Sequence, residues 1–488
     1  MTHDDRLPVL VGAGQLRANR ERTVEQAREP LALLLEALRS AVPDDVLRDA
    51  DDVSVVRIAS WAYDGLAGRV AQAVGATPRT VVDTNLGGHH AVRLLDAAAQ
   101  RIWAGESEIA VIAGAEAQAS VSLLGKAGID PVSLGWTATP GGPPAFDLDE
   151  LGAPAMQAAE LLSPTRVYPL YENRLIADLG LTPDEGLAWS AQLYSDLTRV
   201  AAQHPVAWDR EVRTAEEVAN GGRIVCEPYP LTMNAMPHVD QAAAVVVMSL
   251  AEARRRGLTE VVYVWGGAGA DDATDVLQRR DFGHSESLGL ALDGCLDRAG
   301  RPHLDLVDVY SCFPVVPKLV GLHLGTPRDA VLSITGGHSS FGGPLNSYSL
   351  HALATAFERL KSGGTGLVHA NGGYLTYQHA VVLSGAPHPD GYVGCPDPVS
   401  VRQQDVPPMV ATLARQEVVI ETATVEHDRS DQPVQAFVVA RTEEGGRLAA
   451  STPRGDAQAA LELSLTRGTQ VGRRIALQAV GASVRVVG

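Results

Sequence analysis

A helix that is apolar on nearly every face is the feature that most constrains how this chain folds. The segment HHAVRLLDAAAQRIWAG, residues 89–105, has helical spacing of apolar residues and a glycine at its end. Because a helix with apolar residues all round lies inside a protein, other elements must cover it. The next segment, EIAVIAGAEAQAS (108–120), predicts a buried central strand. Together the two segments indicate a layered α/β fold.

The second half of the chain repeats the order of strand, Gly-rich turn, buried helix and strand. Its predicted elements are the strands EVVYVWGGAGA (260–270) and VDVYSCF (307–313), the helix NSYSLHALATAFERLKSGG (346–364) and the closing strand TGLVHANGG (365–373). We interpret this repetition as an internal duplication within residues 1–385.

Changes in composition divide the chain into four predicted domains. Residues 1–120 and 241–386 form the two halves of the duplicated core. Residues 121–240 are rich in proline and carry helical pieces, so they predict an inserted loop or lid domain. Residues 387–488 alternate polar and apolar side chains, as in QEVVIETATVEHDR and RRIALQAVGASVRVV, and predict a small antiparallel β domain.

The composition also disfavours several classes of protein. The net charge of −18 disfavours nucleic acid as a partner, because a phosphate backbone binds basic surfaces. No apolar run is long enough to predict a membrane span, and the N-terminus lacks the apolar core of a secretion signal. The four cysteines are far apart and predict neither a disulfide framework nor a zinc site. We therefore expect a cytoplasmic protein without a membrane partner.

Five motifs carry a resemblance to a known superfamily. The long segment from residue 89, PYPLTMNAMPHVDQAAAVVVMS from 228, VDVYSCF from 307, GGHSSFGGP from 336 and ANGG from 370 follow one another in the chain. In that order they resemble the nucleophile helix, the closure of the first half, the HDCF or NEAF motif, the Gly-His-Pro turn and the last Gly-rich loop of the thiolase superfamily.

The resemblance covers about residues 8–385 and implies a duplicated, five-layered αβαβα fold that binds acyl-CoA where the halves meet. With the C-terminal tract included, the chain is most similar to thiolase-like proteins of type 1, which are often named acetyl-CoA acetyltransferases. In that family the extra C-terminal domain is OB-like, which implies an OB-like β domain here.

The catalytic residues of the thiolases do not carry over to this chain. The nucleophilic cysteine at the start of the buried helix falls on Gly88, and no cysteine lies within residues 80–90. The histidine of the Gly-His-Pro turn falls on Gly343, and the second cysteine falls near His369. The usual acyl-enzyme route needs a thiolate at the helix N-terminus, so we expect that route to be very poor.

The remaining candidates lie in the turns that the resemblance brings together. We predict five catalytic residues, which are His89, Tyr310, Cys312, His338 and His369. A neutral histidine suits a helix N-terminus and serves as a base or a hydrogen-bond donor. Predicted substrate-binding residues are Gly88, Gly342, Gly343, Asn346 and Asn371. The Gly-rich turn would then form one wall of an acyl-CoA pocket.

Two of these candidates have opposed interpretations. Cys312 in YSCF is either a relocated nucleophile or a small buried apolar side chain, the commoner fate of a lone cysteine. Tyr310 occupies the position of the family's catalytic His or Asn, so it is either an acid or hydrogen-bond donor or a packed tyrosine. His89 and His90 are adjacent and lack a nearby carboxylate, so a metal is not expected.

Three functions are compatible with these residues. The first is an acyltransferase that acts on an acyl-CoA or carrier-bound thioester without the usual cysteine, with no cofactor besides that substrate. The second is a retro-aldol lyase on a 3-hydroxyacyl-CoA, since some thiolase-like lyases also lack the cysteine and use tyrosines. The third is a non-catalytic acyl-CoA or lipid-binding protein. The oligomeric state is either a monomer or a homodimer. Most thiolases form dimers through an edge strand of the core, and a C-terminal domain that covers this edge would leave a monomer.

Overall fold

The computed structural model describes residues 3–146, 152–410, 415–480 and 483–487. Its strands are β1 (Pro8–Arg17), β2 (Asp52–Val55), β3 (Thr80–Asp83), β4 (Ile109–Ala117), β5 (Ile224–Cys226), β6 (Tyr229–Pro230), β7 (Asp240–Ser249), β8 (Val262–Asp271), β9 (Leu306–Val309), β10 (Thr365–Gly372), β11 (Tyr377–Ser384), β12 (Cys395–Ser400), β13 (Gln416–His427), β14 (Pro433–Arg441), β15 (Arg447–Ser451), β16 (Arg474–Val480) and β17 (Ser483–Val487).

The α-helices separate these strands in both halves. They are α1 (Pro30–Ala41), α2 (Asp44–Arg48), α3 (Leu66–Val74), α4 (His90–Ala104), α5 (Gln118–Ala127), α6 (Pro154–Ala158), α7 (Pro164–Asp178), α8 (Pro183–Gln203), α9 (Ala215–Ala219), α10 (Leu250–Arg255), α11 (Glu286–Arg298), α12 (Val315–Leu324), α13 (Tyr348–Leu360) and α14 (Ala457–Leu461).

The two halves of the core have the same sheet topology, which confirms the duplicated fold. In the first half, β2 pairs parallel with β4, and β4, β7 and β1 follow in antiparallel order. In the second half, β9 pairs parallel with β10, and β10, β11 and β8 follow in antiparallel order. The halves join where Val9 and Leu10 of β1 pair with Tyr263 and Val262 of β8.

The apolar helix predicted from the sequence is α4, and it lies in the middle layer beside α13. Both helices contact each other and strands of both halves, while α1 and α11 pack on the outer faces of the two half-sheets. Asp96 is the one fully buried acidic residue of α4. Its carboxylate accepts hydrogen bonds from Gly267 N at 2.8 Å and Tyr392 Oη at 2.7 Å and lies 2.9 Å from His379 Nε2, so its burial is compensated.

The first outer helix is shorter than its sequence pattern predicts. The segment TVEQAREPLALLLEALRSAV predicts one helix, but the structure has a short 3₁₀ turn at Val24–Gln26 and α1 from Pro30. Pro30 occupies the first helical position, where its missing N–H costs nothing. The residue before a proline avoids the helical region, and Glu29 is extended, so the helix cannot reach further back.

The C-terminal tract forms the expected β domain, a closed barrel of five strands. The strands β13, β14, β15, β17 and β16 pair in a ring, with a parallel contact between β15 and β17. The strands β5 and β6 extend this sheet beside β13, and β12 pairs instead with β8 of the core. The predicted strand RRIALQAVGASVRVV includes residues 481–482, which lie outside the described residues. The four domain boundaries remain predictions.

The barrel packs on the inserted segment rather than on the free edge of the core sheet. The Asn173 amide of α7 donates to Ala423 O at 2.8 Å, and the Thr422 hydroxyl donates to Leu170 O at 2.6 Å. The edge strand β3 remains uncovered, and Val81 is 49% exposed. The suggestion that the C-terminal domain covers this edge is therefore wrong, because the barrel contacts α7 and the core loop around residues 277–280 instead.

Candidate active site

A cavity of about 320 Å³ lies between the start of α4, the Gly-rich turn before α13, the end of β10, the start of β11 and the start of α7. Its position is the meeting point of the two halves that the sequence resemblance implies. The predicted site residues in contact with it are Gly88, Tyr310, Cys312, His338, Gly343, Asn346 and Asn371. No Asp, Glu, Lys or Arg of the described chain lines it, so the cavity suits an uncharged group.

Three predicted site residues lie behind the cavity wall instead. The His89 ring stacks on Tyr377 with centroids 4.9 Å apart. His369 lies on the same face of β10 as Asn371 but two residues further from the cavity, and its Nε2 lies 2.9 Å from Gln378 Oε1. Gly342 packs against the Gln241 side chain at φ 116°. The sequence placed these three residues next to the site, but neighbouring residues separate them from the cavity.

Gly88 and Tyr310 share the space in which a thiolase nucleophile would lie. A Cβ atom added to Gly88 would lie 2.3 Å from the Tyr310 hydroxyl oxygen and 2.6 Å from the Asn371 carbonyl oxygen. Both distances are too short for non-bonded atoms. The sequence has glycine in place of the nucleophilic cysteine, and the Tyr310 phenol fills part of the volume that a cysteine side chain at position 88 would need.

The Tyr310 hydroxyl makes one long hydrogen bond, and its ring packs beside His338. Its hydroxyl donates to Leu345 O at 3.2 Å, and its ring lies 4.2 Å from the His338 ring between centroids. Burial raises the pKa of Tyr310 well above its ordinary value. The phenol therefore stays protonated and acts as a hydrogen-bond donor at neutral pH.

His338 is a buried histidine whose two ring nitrogens have no hydrogen-bond partner among the described residues. It lies in the single π-helical turn Gly337–Phe341, and its ring stacks on Tyr348 with centroids 3.6 Å apart. Burial lowers the pKa of His338 well below its usual value, so the ring is neutral at pH 7. A neutral imidazole at a cavity wall can accept a proton from a ligand.

Cys312 is a poor nucleophile in this environment. Burial raises the pKa of its thiol to about 12, even though the polar contacts with Tyr168 and Asn371 act in the opposite direction. The reactive species of a cysteine is the thiolate, and a thiol with this pKa is almost wholly protonated at pH 7. The environment favours the interpretation of Cys312 as a packed side chain.

Asn371 belongs to a polar network in which its own amide and the side chains of Gln378 and Tyr168 are paired, while His369 Nδ1 has no partner among the described residues. Its Oδ1 accepts from Gln378 Nε2 at 2.7 Å, and its Nδ2 donates to Tyr168 Oη at 2.8 Å. The Tyr168 hydroxyl in turn donates to Gly373 O at 2.7 Å. Because Gln378 donates to Asn371, its oxygen is left to accept from His369 Nε2. Every bond in this chain of side chains therefore has a fixed direction.

Asn346 joins two loops at the start of the cavity. Its Oδ1 accepts from Gly87 N at 2.9 Å, and its Nδ2 donates to Arg57 O at 3.0 Å. Gly343 is fixed in a similar way, since its N–H donates to Met236 O at 2.9 Å. These contacts shape the wall and leave the Asn346 amide with fewer groups to offer a ligand.

Tyr168, Phe313 and Asn234 are among the cavity-lining residues that the sequence did not predict. Tyr168 and Phe313 stack on each other with ring centroids 4.6 Å apart. Asn234 is 8% exposed, and its Oδ1 has no partner within the described ranges. Asn234 lies in the motif PYPLTMNAMPHVD, but nothing in a single sequence distinguishes it from other loop asparagines.

The comparisons with known proteins agree with this geometry. A family model described as the thiolase-like protein type 1 additional C-terminal domain matches residues 396–482. A monomeric SCP2-thiolase-like protein type 1 from Mycobacterium smegmatis is 27% identical, with a TM-score of 0.81 and 99% of each chain covered. The chain resembles thiolase-like proteins of type 1 in both its core and its C-terminal domain. This similarity agrees with the resemblance to the thiolase superfamily in its sequence motifs.

Less similar structures share only the fold with this chain. The Ltp2–ChsH2(DUF35) aldolase is 20% identical over 78% of this chain and 98% of its own, with a TM-score of 0.58. The Acat5 thiolase of Ascaris suum, solved with coenzyme A, is 16% identical over 78% and 99%, with a TM-score of 0.55. A search of curated proteins finds no match to the chain.

Two searches of the described residues gave negative results. No group of three or more His, Cys, Asp or Glu side chains among them is arranged to hold a metal ion. Across the same described ranges, helices that combine the length and the apolar character of a membrane span are also lacking.

Proposed function

We propose that this thiolase-like protein is a carbon–carbon lyase that cleaves a 3-hydroxyacyl thioester by a retro-aldol reaction. The observation that carries the proposal is the Tyr310 phenol in the nucleophile space beside a neutral His338 with unpaired ring nitrogens. This pair provides a donor and a base, but no group able to form an acyl-enzyme. The reaction therefore has to proceed without a covalent intermediate.

The bonds and protons of the reaction balance with these two residues. His338 takes the proton of the substrate's 3-hydroxyl group, and the oxygen electrons form a new carbonyl. The bond between the second and third carbons breaks, and its electrons pass to the thioester oxygen as an enolate. Tyr310 donates a hydrogen bond to that oxygen. The proton on His338 then goes to the second carbon, which releases a ketone or aldehyde and a shorter acyl thioester.

The size of the cavity favours one substrate over two. A volume of about 320 Å³ is at the lower end of the range for small-molecule sites. Direct acyl transfer needs an acyl donor and an acceptor in the site together, whereas a retro-aldol cleavage needs one molecule. Acyl transfer by way of Cys312 is disfavoured by the raised pKa of its thiol. This ordering places the lyase ahead of the acyltransferase hypothesis.

Properties of similar proteins support the remaining parts of the proposal. One similar structure is an aldolase, and another thiolase was solved with coenzyme A, so we propose a coenzyme A thioester as substrate. The similar Mycobacterium smegmatis protein is monomeric, and we propose a monomer here. All four cysteines are free, which fits the reducing conditions of the cytoplasm.

The test uses a series of 3-hydroxyacyl-CoA esters of increasing acyl size. We expect the wild-type protein to release a carbonyl compound, trapped as a hydrazone and detected by mass spectrometry. Tyr310→Phe and His338→Phe should each lower turnover by about 10²- to 10⁴-fold. The matched controls are Cys312→Ser and Tyr374→Phe. Tyr374 also lines the cavity, but its hydroxyl is committed to Leu162 O at 2.6 Å, so both controls should keep turnover within threefold.

Other results would replace the lyase with one of its alternatives. An acyl adduct in the intact-protein mass spectrum that disappears in Cys312→Ser would favour the acyltransferase. Retention of acyl-CoA in native mass spectra with no product from any ester would favour a binding protein.

A further inference from the structure

Arg447 is a charged side chain that the C-terminal barrel buries completely. It lies at the start of β15 and is 0% exposed. Its guanidinium donates to Glu421 of β13, from Nε at 2.8 Å and from Nη2 at 2.5 Å. A buried ion pair of this kind adds little net stability, because desolvation opposes the attraction. Stabilisation by the ion pair alone therefore does not explain why this guanidinium is buried.

The guanidinium of Arg447 also forms hydrogen bonds to backbone carbonyl groups outside the barrel. Arg447 donates from Nη1 to Leu277 O at 2.8 Å and to Arg279 O, and from Nη2 to Arg280 O at 2.9 Å. Three carbonyl groups of one core loop thus converge on a single barrel side chain. The planar guanidinium fits this arrangement because its donors point in several fixed directions.

Arg279 extends the path from that loop toward the cavity. Its side chain is 4% exposed. It donates to Ala273 O at 2.7 and 3.0 Å, to Tyr374 O at 2.7 Å and to Thr376 Oγ1 at 2.8 Å. Thr274, Tyr374 and Thr376 line the cavity. Two buried arginines in series therefore connect the barrel to one wall of the cavity.

A separate contact connects the barrel to another wall. Arg166 of α7 pairs with Glu426 of β13 at 2.7 Å, and its guanidinium lies 4.6 Å from the centroid of the Phe437 ring in β14. The neighbouring residues Pro164 and Thr165 line the cavity. The barrel thus contacts both the inserted segment and the core loop at points next to the cavity.

We propose that Arg447 is a positioning residue, through which the C-terminal barrel fixes the cavity wall formed by Thr274, Tyr374 and Thr376. The barrel then serves the site without touching the ligand. The structural part of this proposal stands on the contacts alone, and its kinetic consequence rests on the proposed lyase function.

The first variant separates the ion pair from the loop contacts. Arg447→Lys keeps a positive charge beside Glu421, but an ammonium group cannot hold three carbonyls in the guanidinium arrangement. Hydrogen exchange of the full-length protein should be at least fivefold faster for amides of residues 273–280 and 374–376. Amides of β13 and β14 should stay within twofold of wild type.

A second variant and a control protect the result against misfolding. Glu421 also accepts hydrogen bonds from Arg441, so the second variant combines Glu421→Met, Arg441→Met and Arg447→Met and replaces the whole charged network by apolar side chains, an exchange that is often tolerated. It should give the same local increase in exchange. The control is Arg474→Lys, in an exposed barrel ion pair with Glu443, which should leave exchange in both regions unchanged.

The outcomes distinguish this proposal from the proposed lyase. Wild-type exchange at residues 273–280 in either folded variant would overturn it, and so would an equal increase throughout the barrel. If the wild type cleaves 3-hydroxyacyl-CoA, kcat/KM should fall at least tenfold in Arg447→Lys and stay unchanged in Arg474→Lys. If the local exchange increases while no ester is cleaved by the wild type, the lyase fails and the positioning role stands.

Discussion

The two sides of the cavity differ in how their polar groups are paired. On one side, the amide of Asn371 and the side chains of Gln378 and Tyr168 form hydrogen bonds with one another. On the other side, His338 and Asn234 have buried polar atoms without partners in the part of the chain that the structure describes. Unpaired buried polar groups cost free energy, so they mark the side on which a ligand restores hydrogen bonds. The side chains on the paired side hold the cavity wall in place.

The largest expected effect is on the paired side. Asn371→Leu leaves Gln378 Nε2 without its acceptor and removes the donor to Tyr168, at a cost of about 1–3 kcal/mol for each orphaned group. We expect the free energy of unfolding in urea to fall by about 2–5 kcal/mol. The matched comparison is Asn234→Leu, which removes an already unpaired oxygen and a single hydrogen bond, from Nδ2 to Pro230 O at 2.8 Å, and should cost about 1–2 kcal/mol. Equal losses in the two variants would contradict the distinction between the two sides.

A smaller effect is expected where the two sides meet, at Gly88. Gly88→Ala forces a methyl group against the Tyr310 hydroxyl and the Asn371 carbonyl, and such overpacking costs about 1–3 kcal/mol. In a Tyr310→Leu background, part of this cost should disappear, as measured by a double-mutant cycle. Gly125→Ala is the control because a methyl group there meets no atom within 4 Å. That exposed helical position should gain about 0.5–1 kcal/mol.

The smallest expected effect is the pH dependence that His338 contributes. Burial lowers the pKa of His338 in the folded protein, so below about pH 6.5 the unfolded chain binds more protons at this residue. Its stabilising contribution is complete above that pH and is lost as the pH falls. Urea unfolding from pH 6.5 to 5 should therefore show a steeper loss for wild type than for His338→Phe, by up to about 1.4 kcal/mol per pH unit.

A control variant checks the assignment of that slope. His303→Gln changes an 89% exposed side chain and should retain the wild-type pH dependence. A His338→Phe variant with the same slope as wild type would mean that the histidine is protonated or hydrogen-bonded in the folded protein. The comparison between the two sides would then need revision.

Local sequence patterns predicted most of the fold for identifiable reasons. The apolar helix at 89–105 and the strand after it appear as α4 and β4, because continuous apolar runs can only be buried. The period-two pattern after residue 387 predicted the β domain. The closed order of its strands and the position of the barrel on α7 were not predictable, since pairing partners lie far apart in the chain.

The candidate site was predicted only as a set of turns. Motif positions brought Tyr310, His338 and Asn371 to one cavity, but they also nominated His89 and His369, which lie behind its wall. One sequence does not specify which way a side chain points at the end of a strand or helix. Tyr168 escaped notice because its segment has no motif of its own. Asn234 escaped notice although it lies in the motif from residue 228, because one sequence does not distinguish it from other loop asparagines.

By itself the sequence determined that this protein has a duplicated α/β core, an added β domain and no cysteine at position 88. Each of these follows from residue identity or from hydrophobic periodicity, which are local properties of the chain. Tertiary structure alone decided that Tyr310 fills the space beside Gly88, that His338 is left unpaired and that Arg447 reaches the core loop. These are contacts between residues more than a hundred positions apart or between separate elements, and only packing fixes them.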